Sequence, residues 1–168
     1  MRERQPSEPP HPEIAPLWRP PDSCIIGAFK EFERKSMPGY TDREAKAGLG
    51  ARLPKLETFA NQFPDYEITI EFPEFTSVCP KTGLPDFGRI ILRYVPVGRV
   101  VELKSLKEYF LAYRNLGIFY ENAVNRILED VVRACRPKSA VVRGEFNPRG
   151  GLYSVVEAGY PRPRRRRS

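Results

Sequence analysis

The chain has 168 residues, 40% of them hydrophobic and 29% charged, a balance that gives one ordinary domain a core of its own. No run of about eighteen apolar residues occurs, which excludes a transmembrane helix; a single histidine, His11, and no cysteine pair at zinc spacing exclude a metal site and any histidine-based dyad. The net charge of +7 is concentrated in "RPRRRRS", whose five arginines leave the rest at about +2, so the body is not a basic nucleic-acid-binding domain.

Cys24, Cys79 and Cys135 are too few for a disulfide framework, and "MRERQPSEPPHPEIAP" lacks the apolar stretch of a secretory signal. Both features point to a reducing cytoplasm. Seven prolines among the first 21 residues prevent that segment from packing alone. Residues 1–65 therefore read as a Pro-rich N-terminal arm, 66–160 as the folded module and 161–168 as an Arg-rich tail.

In "YEITIEF", Tyr66, Ile68, Ile70 and Phe72 alternate with Glu67, Thr69 and Glu71, the period of a strand with one buried face. In "FTSVCPKTGLPDF", Pro80, Gly83 and Pro85 predict a loop carrying Cys79 and Asp86. "GRIILRYVPV" follows as a second strand, rich in β-branched residues. "SLKEYFLAYRNLG" shifts to helical spacing, with Leu106, Phe110 and Tyr113 on one face and Gly117 as the stop. "YENAVNRILEDVVRACR" predicts a second helix with Val124, Ile127, Leu128 and Val131 as its apolar stripe, ended by Pro137. "AVVRGEFNPRGGLYSVVEA" reads as two strands joined around Pro148, Gly150 and Gly151. The order strand, strand, helix, helix, strand, strand implies an α+β layer, an antiparallel four-stranded sheet with two helices on one face. The other face meets water or another subunit.

Three groupings carry possible chemistry. Cys79 is either a nucleophile, activated as thiolate with Lys81 two residues away, or a small apolar filler. Cys24 and Cys135 read as packing. Asp86 is either a turn residue or the proton donor that pairs with that thiol. In "VELKSLKEYF", Lys104 and Lys107 share a helix face and Ser105 lies near its start, so the segment is a phosphate cradle or a solvated amphipathic helix. In "FYENAVN", Glu121 is a first-turn acid or, if buried, the acceptor for a guanine-like amide and amino edge.

Taken together and in this order, "EFTSVCPKTGLPDF", "ELKSLKEYF", "FYENAVN" and "FNPRGG" resemble the motifs of the NADPH-dependent 7-cyano-7-deazaguanine reductases, the nitrile oxidoreductases of queuosine biosynthesis, in their short single-module subclass. The resemblance covers about residues 66–160 and implies the tunnelling fold (T-fold), a ββααββ subunit that assembles into homo-oligomers with intersubunit sites. It implies that Cys79 adds to the nitrile of 7-cyano-7-deazaguanine as a thioimide and that Asp86 supplies protons. Two NADPH then carry the reduction to 7-aminomethyl-7-deazaguanine. It assigns substrate contacts to Val101, Glu102, Leu103, Tyr120 and Glu121, and NADPH contacts to Lys104, Ser105, Lys107, Arg149 and Gly150. Tyr120 stands where the family usually has histidine, and Leu103 where serine is commoner. Competing readings are an NADPH-independent relative that forms an amidine from the same nitrile, and an RNA-binding module using the arginine tail.

Overall fold

In the computed structural model, residues 41–162 are described; the Pro-rich start, His11, Cys24 and the arginines beyond Arg162 lie outside them. The elements are α1 (Asp42–Ala45), β1 (Thr58–Ala60), β2 (Ile68–Val78), β3 (Pro85–Val95), β4 (Arg99–Val101), α2 (Leu103–Leu111), α3 (Tyr120–Cys135), β5 (Ser139–Arg149) and β6 (Leu152–Tyr160). Strands β2-β3-β5-β6 form a wholly antiparallel sheet in that order, and β1 pairs with β4 beside it. The ββααββ order is therefore present, with α1, β1 and β4 added to it.

Alternation decides which face is covered. Ile90, Leu92 and Tyr94 on β3, with Ala140, Val142 and Phe146 on β5, are buried against Leu106, Phe110, Val124, Ile127, Leu128 and Val131 of the two helices. The opposite face carries a ladder of ion pairs across all four strands. Glu71 pairs with Arg89 at 3.7 Å, Arg89 with Glu145 at 2.5 Å, Arg143 with Glu145 at 2.9 Å and Arg143 with Glu157 at 3.5 Å. Charged side chains on an uncovered face keep it from collapsing onto an apolar partner.

Strand β2 runs past Pro73, where the sequence pattern stops it. The register moves from Phe72↔Ile90 to Phe75↔Gly88, so one extra residue bulges out. An edge strand tolerates the proline because no neighbour needs its N–H. The bulge reverses the phase: Phe72 faces the helices before it, and Phe75, Ser77 and Cys79 face them after it. Strand β3 likewise starts at Pro85, so Asp86 lies on a strand and not on the expected loop, which shrinks to the tight connection from Cys79 to Leu84.

Two further expectations shift. The first long helix ends at Leu111, well before Gly117; Tyr113, Arg114 and Leu116 continue in three-residue backbone turns. The segment then bonds to β2, with Val78 N–H donating to Leu116 and Ile118 N–H donating to Val78, both at 3.0 Å. That bridge fixes where α3 begins. The compact unit starts at Tyr40, so residues 41–65, read as part of the arm, belong to it: Leu56 is in the core, and Asn122 on α3 donates to the Ala45 carbonyl at 2.7 Å. Cys135 is buried as expected. Arg136 in the left-handed region (φ 46°) ends α3 just before Pro137.

Candidate active site

The β2–β3 connection is a closed turn. Cys79 N–H donates to Leu84 and Gly83 N–H to Cys79, each at 2.9 Å, and Gly83 takes φ 70°, a conformation strained for other residues. Cys79 is 7% exposed. Burial pushes its thiol up, but hydrogen bonds from the Thr82 side chain and backbone, the Arg149 guanidinium and the Lys81 backbone outweigh it and bring the pKa down to about 7. The Lys81 ammonium pairs with Glu44 at 3.5 Å. Thr82 is a contributor that sequence reasoning missed; its hydroxyl position depends on how the turn closes.

Asp86 sits one register step from the turn, buried to 4% exposure. Its Oδ1 accepts from the Tyr120 hydroxyl at 2.7 Å and is ion-paired with Arg149. Arg149, expected in a phosphate cradle with Gly150, thus reaches both the carboxylate and the thiol in this structure. Gly150 and Gly151 (φ 57° and 82°) form the two-residue turn of the β5–β6 hairpin that carries it. The Tyr120 ring stacks on Phe146 with centroids 3.8 Å apart and planes at 8°. Gly88 makes room for that stack, since a Cβ there would lie 2.5 Å from the Glu145 carbonyl and 3.0 Å from the Phe146 ring. Burial, then the charges of Cys79 and Glu121, raise the Tyr120 phenol, so it stays a donor. Glu121, next on the helix, is exposed.

The second predicted grouping differs from its expected form. Glu102 caps α2, its carboxylate accepting from the Lys104 and Ser105 N–H groups at 2.7 Å each; those bonds, Ser105's first, hold its carboxyl below the usual range. Ser105 is buried, donating to the Glu102 carbonyl at 2.9 Å and accepting from Glu57 N–H at 3.0 Å. The Lys104 and Ser105 N–H groups and the Ser105 hydroxyl are thus engaged within the subunit. What remains are Lys104 and Lys107, both exposed. Val101 is buried with its N–H on the Tyr94 hydroxyl at 3.1 Å, and Leu103 is 62% exposed.

The two groupings lie at opposite ends of the sheet. Asp86 is near one end of β3 and Tyr94, which holds Val101, near the other; at ~3.3 Å per residue they are roughly 27 Å apart. A cavity of about 510 Å³ between Lys55, Arg99 and Asp130 touches none of the predicted site residues. No cluster of metal-ligating side chains occurs among the described residues.

Comparison with known proteins gives three results. The family described as QueF-like protein matches residues 85–165. The NADPH-dependent 7-cyano-7-deazaguanine reductase of Elusimicrobium minutum is 59% identical over 123 residues, spanning 73% of this chain and 93% of that protein; the one from Chlorobaculum tepidum is 58% identical over 107 residues, spanning 62% and 92%. Among solved structures, the apo form of the archaeosine synthase QueF-Like aligns with a TM-score of 0.53 at 25% identity, covering 55% of this chain and 91% of that one.

Proposed function

The chain belongs to the family of NADPH-dependent 7-cyano-7-deazaguanine reductases, and from that premise we propose that Cys79 adds to the nitrile of 7-cyano-7-deazaguanine to open its reduction. The product is 7-aminomethyl-7-deazaguanine, on the way to queuosine in tRNA. The observation that carries the cysteine assignment is a buried thiol whose pKa is brought to about 7 by surrounding donors. A free nitrile accepts hydride poorly, whereas a protonated thioimide accepts it well, so the covalent bond makes the later steps possible.

NADPH, when bound, supplies hydride, and two molecules are needed in succession because nitrile to amine takes four electrons. Asp86 delivers the accompanying protons. With Tyr120 and Arg149 both on Oδ1, Oδ2 is left as the oxygen that carries the proton. Burial of Cys79 and Asp86 keeps water from the intermediates. Glu121, exposed in the single subunit, accepts from the amide and amino edge of the deazaguanine once a second copy covers it. The exposed ammoniums of Lys104 and Lys107 fit a phosphate-bearing cofactor; Ser105 supports them by tying Glu102 to the helix start.

Because these lysines, with Val101 and Leu103, lie at the end of the sheet remote from Cys79, a complete site takes them from a second copy. We therefore assign a homo-oligomer with intersubunit sites. Among the described residues no helix is long and apolar enough to cross a membrane, and a working thiolate suits the reducing cytoplasm.

Adding the nitrile to purified protein tests the reading: a thioimide absorbance band and a matching mass adduct on Cys79 should appear, and NADPH should discharge both. An adduct that NADPH never discharges favours the amidine-forming reading. The likeness to an archaeosine synthase structure gives that reading its footing, but far below the identity to the named reductases.

A further inference from the structure

Among the described residues, Ser77 Oγ is the one buried side-chain polar atom with no hydrogen-bond partner. Ser77 is 1% exposed and lies on β2 directly across from Asp86, on the helix-facing side of the sheet. Directly opposed residues bring their Cβ atoms to about 4.5–5.5 Å. Cys79 follows two residues later, just past the end of β2 at Val78, about 6.5 Å further along the chain. A hydroxyl without a partner destabilises a folded protein, and alanine would fill the position as well. A buried polar group without a partner calls for an explanation, and a catalytic role is one of them.

We infer that the Ser77 hydroxyl is a catalytic donor to the nitrile nitrogen during thioimide formation, relaying the proton that Asp86 handles. This rests on the covalent reading of Cys79. Ser77 suits the position because a hydroxyl accepts and donates at once, whereas Asp86 Oδ1 is already engaged by Tyr120 and Arg149. The Cys79 thiol proton passes to the Asp86 carboxylate. The S–C bond then forms as one π pair of the C≡N bond moves to nitrogen. Nitrogen takes the Ser77 hydroxyl proton, and Asp86 returns its proton to the Ser77 oxygen once the bound nitrile has turned that hydroxyl toward Oδ2, a contact the free protein does not make. The thiol hydrogen ends as the thioimide N–H, with Ser77 and Asp86 restored and no outside reactant consumed.

Ser77→Ala and Ser77→Thr in the full chain test this, mixed with the nitrile without NADPH and followed by the thioimide band. Ser77→Ala should form the adduct about a hundred-fold more slowly, the lower end for loss of one such donor. Ser77→Thr, which keeps a hydroxyl, should recover much of that rate. The rate of Cys79 alkylation by iodoacetamide, which places no nitrogen beside Ser77, should be unchanged in both variants. The melting temperature of Ser77→Ala should hold or rise, because no native hydrogen bond is lost. Adduct formation by Ser77→Ala at the unmutated rate overturns the role, as does an equal slowing of alkylation, which would mean that Ser77 acts on the thiol alone. If the unmutated protein forms no adduct, the covalent reading of Cys79 fails and takes the inference with it; a normal adduct in both proteins removes Ser77 alone.

Discussion

The two ends of the sheet are prepared to different degrees. At the Cys79 end, thiol and carboxylate are buried, held by Thr82, Arg149 and Tyr120, and the thiol titrates near neutrality within a single subunit. At the Lys104 end the Lys104 and Ser105 N–H groups are taken by Glu102, and two lysines are exposed. Bond-making groups need orientation before substrate arrives, and burial supplies it. Charges that attract a phosphate work through longer range and tolerate looser placement. On the proposed reading, chemistry is built into the hairpin, and cofactor capture is left to a surface that a second copy would complete.

The strongest way to break the contrast is at the buried end. Cys79→Ala should abolish the covalent adduct and turnover while the protein stays folded, because the side chain fills a turn and not the centre of the core. Cys135→Ala should keep the adduct, since Cys135 lies at the far end of α3, its thiol pushed up to about 11 by burial and donating to Val131 at 3.2 Å. Intact-mass measurement with the nitrile checks both. An adduct on Cys79→Ala would move the nucleophile elsewhere.

Asp86→Asn comes next. It keeps the shape and the Tyr120 partner but removes the titratable proton, so reduction should slow by about two to four orders of magnitude. Single-turnover kinetics separate the steps, and adduct formation should suffer less than reduction. Near-normal turnover would reduce Asp86 to a structural partner of Arg149.

Substitutions at the exposed end should act on binding alone. Lys104→Ala and Lys107→Ala should each raise the Michaelis constant for NADPH about ten- to a hundred-fold, the loss expected for a charge-assisted hydrogen bond of ~1.5–3 kcal/mol. The thioimide band should form at the usual nitrile concentration. Raising salt should mimic part of the defect in the unmutated protein. Normal use of NADPH by both variants would place the phosphates elsewhere.

Element order was legible in the sequence because Ile68, Ile70 and Phe72 alternate cleanly and Val124, Ile127, Leu128 and Val131 recur at helical spacing. The bulge was not. Pro73 reads as a strand terminator, and only the partner strand's register shows that β2 resumes and turns Ser77 and Cys79 inward. Cys79 and Asp86 stood out because their residue types are chemically informative beside prolines and a glycine. Thr82 and Ser77 did not, since a threonine in a turn and a serine in a strand are ordinary until the turn closes and the register is known. The Arg149 pairing joins residues 63 positions apart and has no local signature.

The smallest expected effect concerns how the thiol is tuned, and it tests whether the buried end is organised by hydrogen bonds or by charge. Thr82 donors are the largest of the influences that lower Cys79, so Thr82→Val should raise the thiol pKa above about 7, toward its ordinary value of 9.0. The sign follows from the reactive form: thiolate accumulates as pH rises through the pKa, so iodoacetamide alkylation of the unmutated protein should reach half its maximal rate near pH 7. In Thr82→Val the profile should shift to higher pH, with the rate several-fold lower near pH 6.5 and equal to the unmutated protein's above about pH 10, where both thiols are ionised. Lys81→Ala should shift the profile less, because its ammonium is held by Glu44 and its backbone N–H remains. The opposite ranking, with Lys81→Ala moving the profile further than Thr82→Val, would show that a point charge tunes the nucleophile and would remove the distinction drawn between the two ends of the sheet.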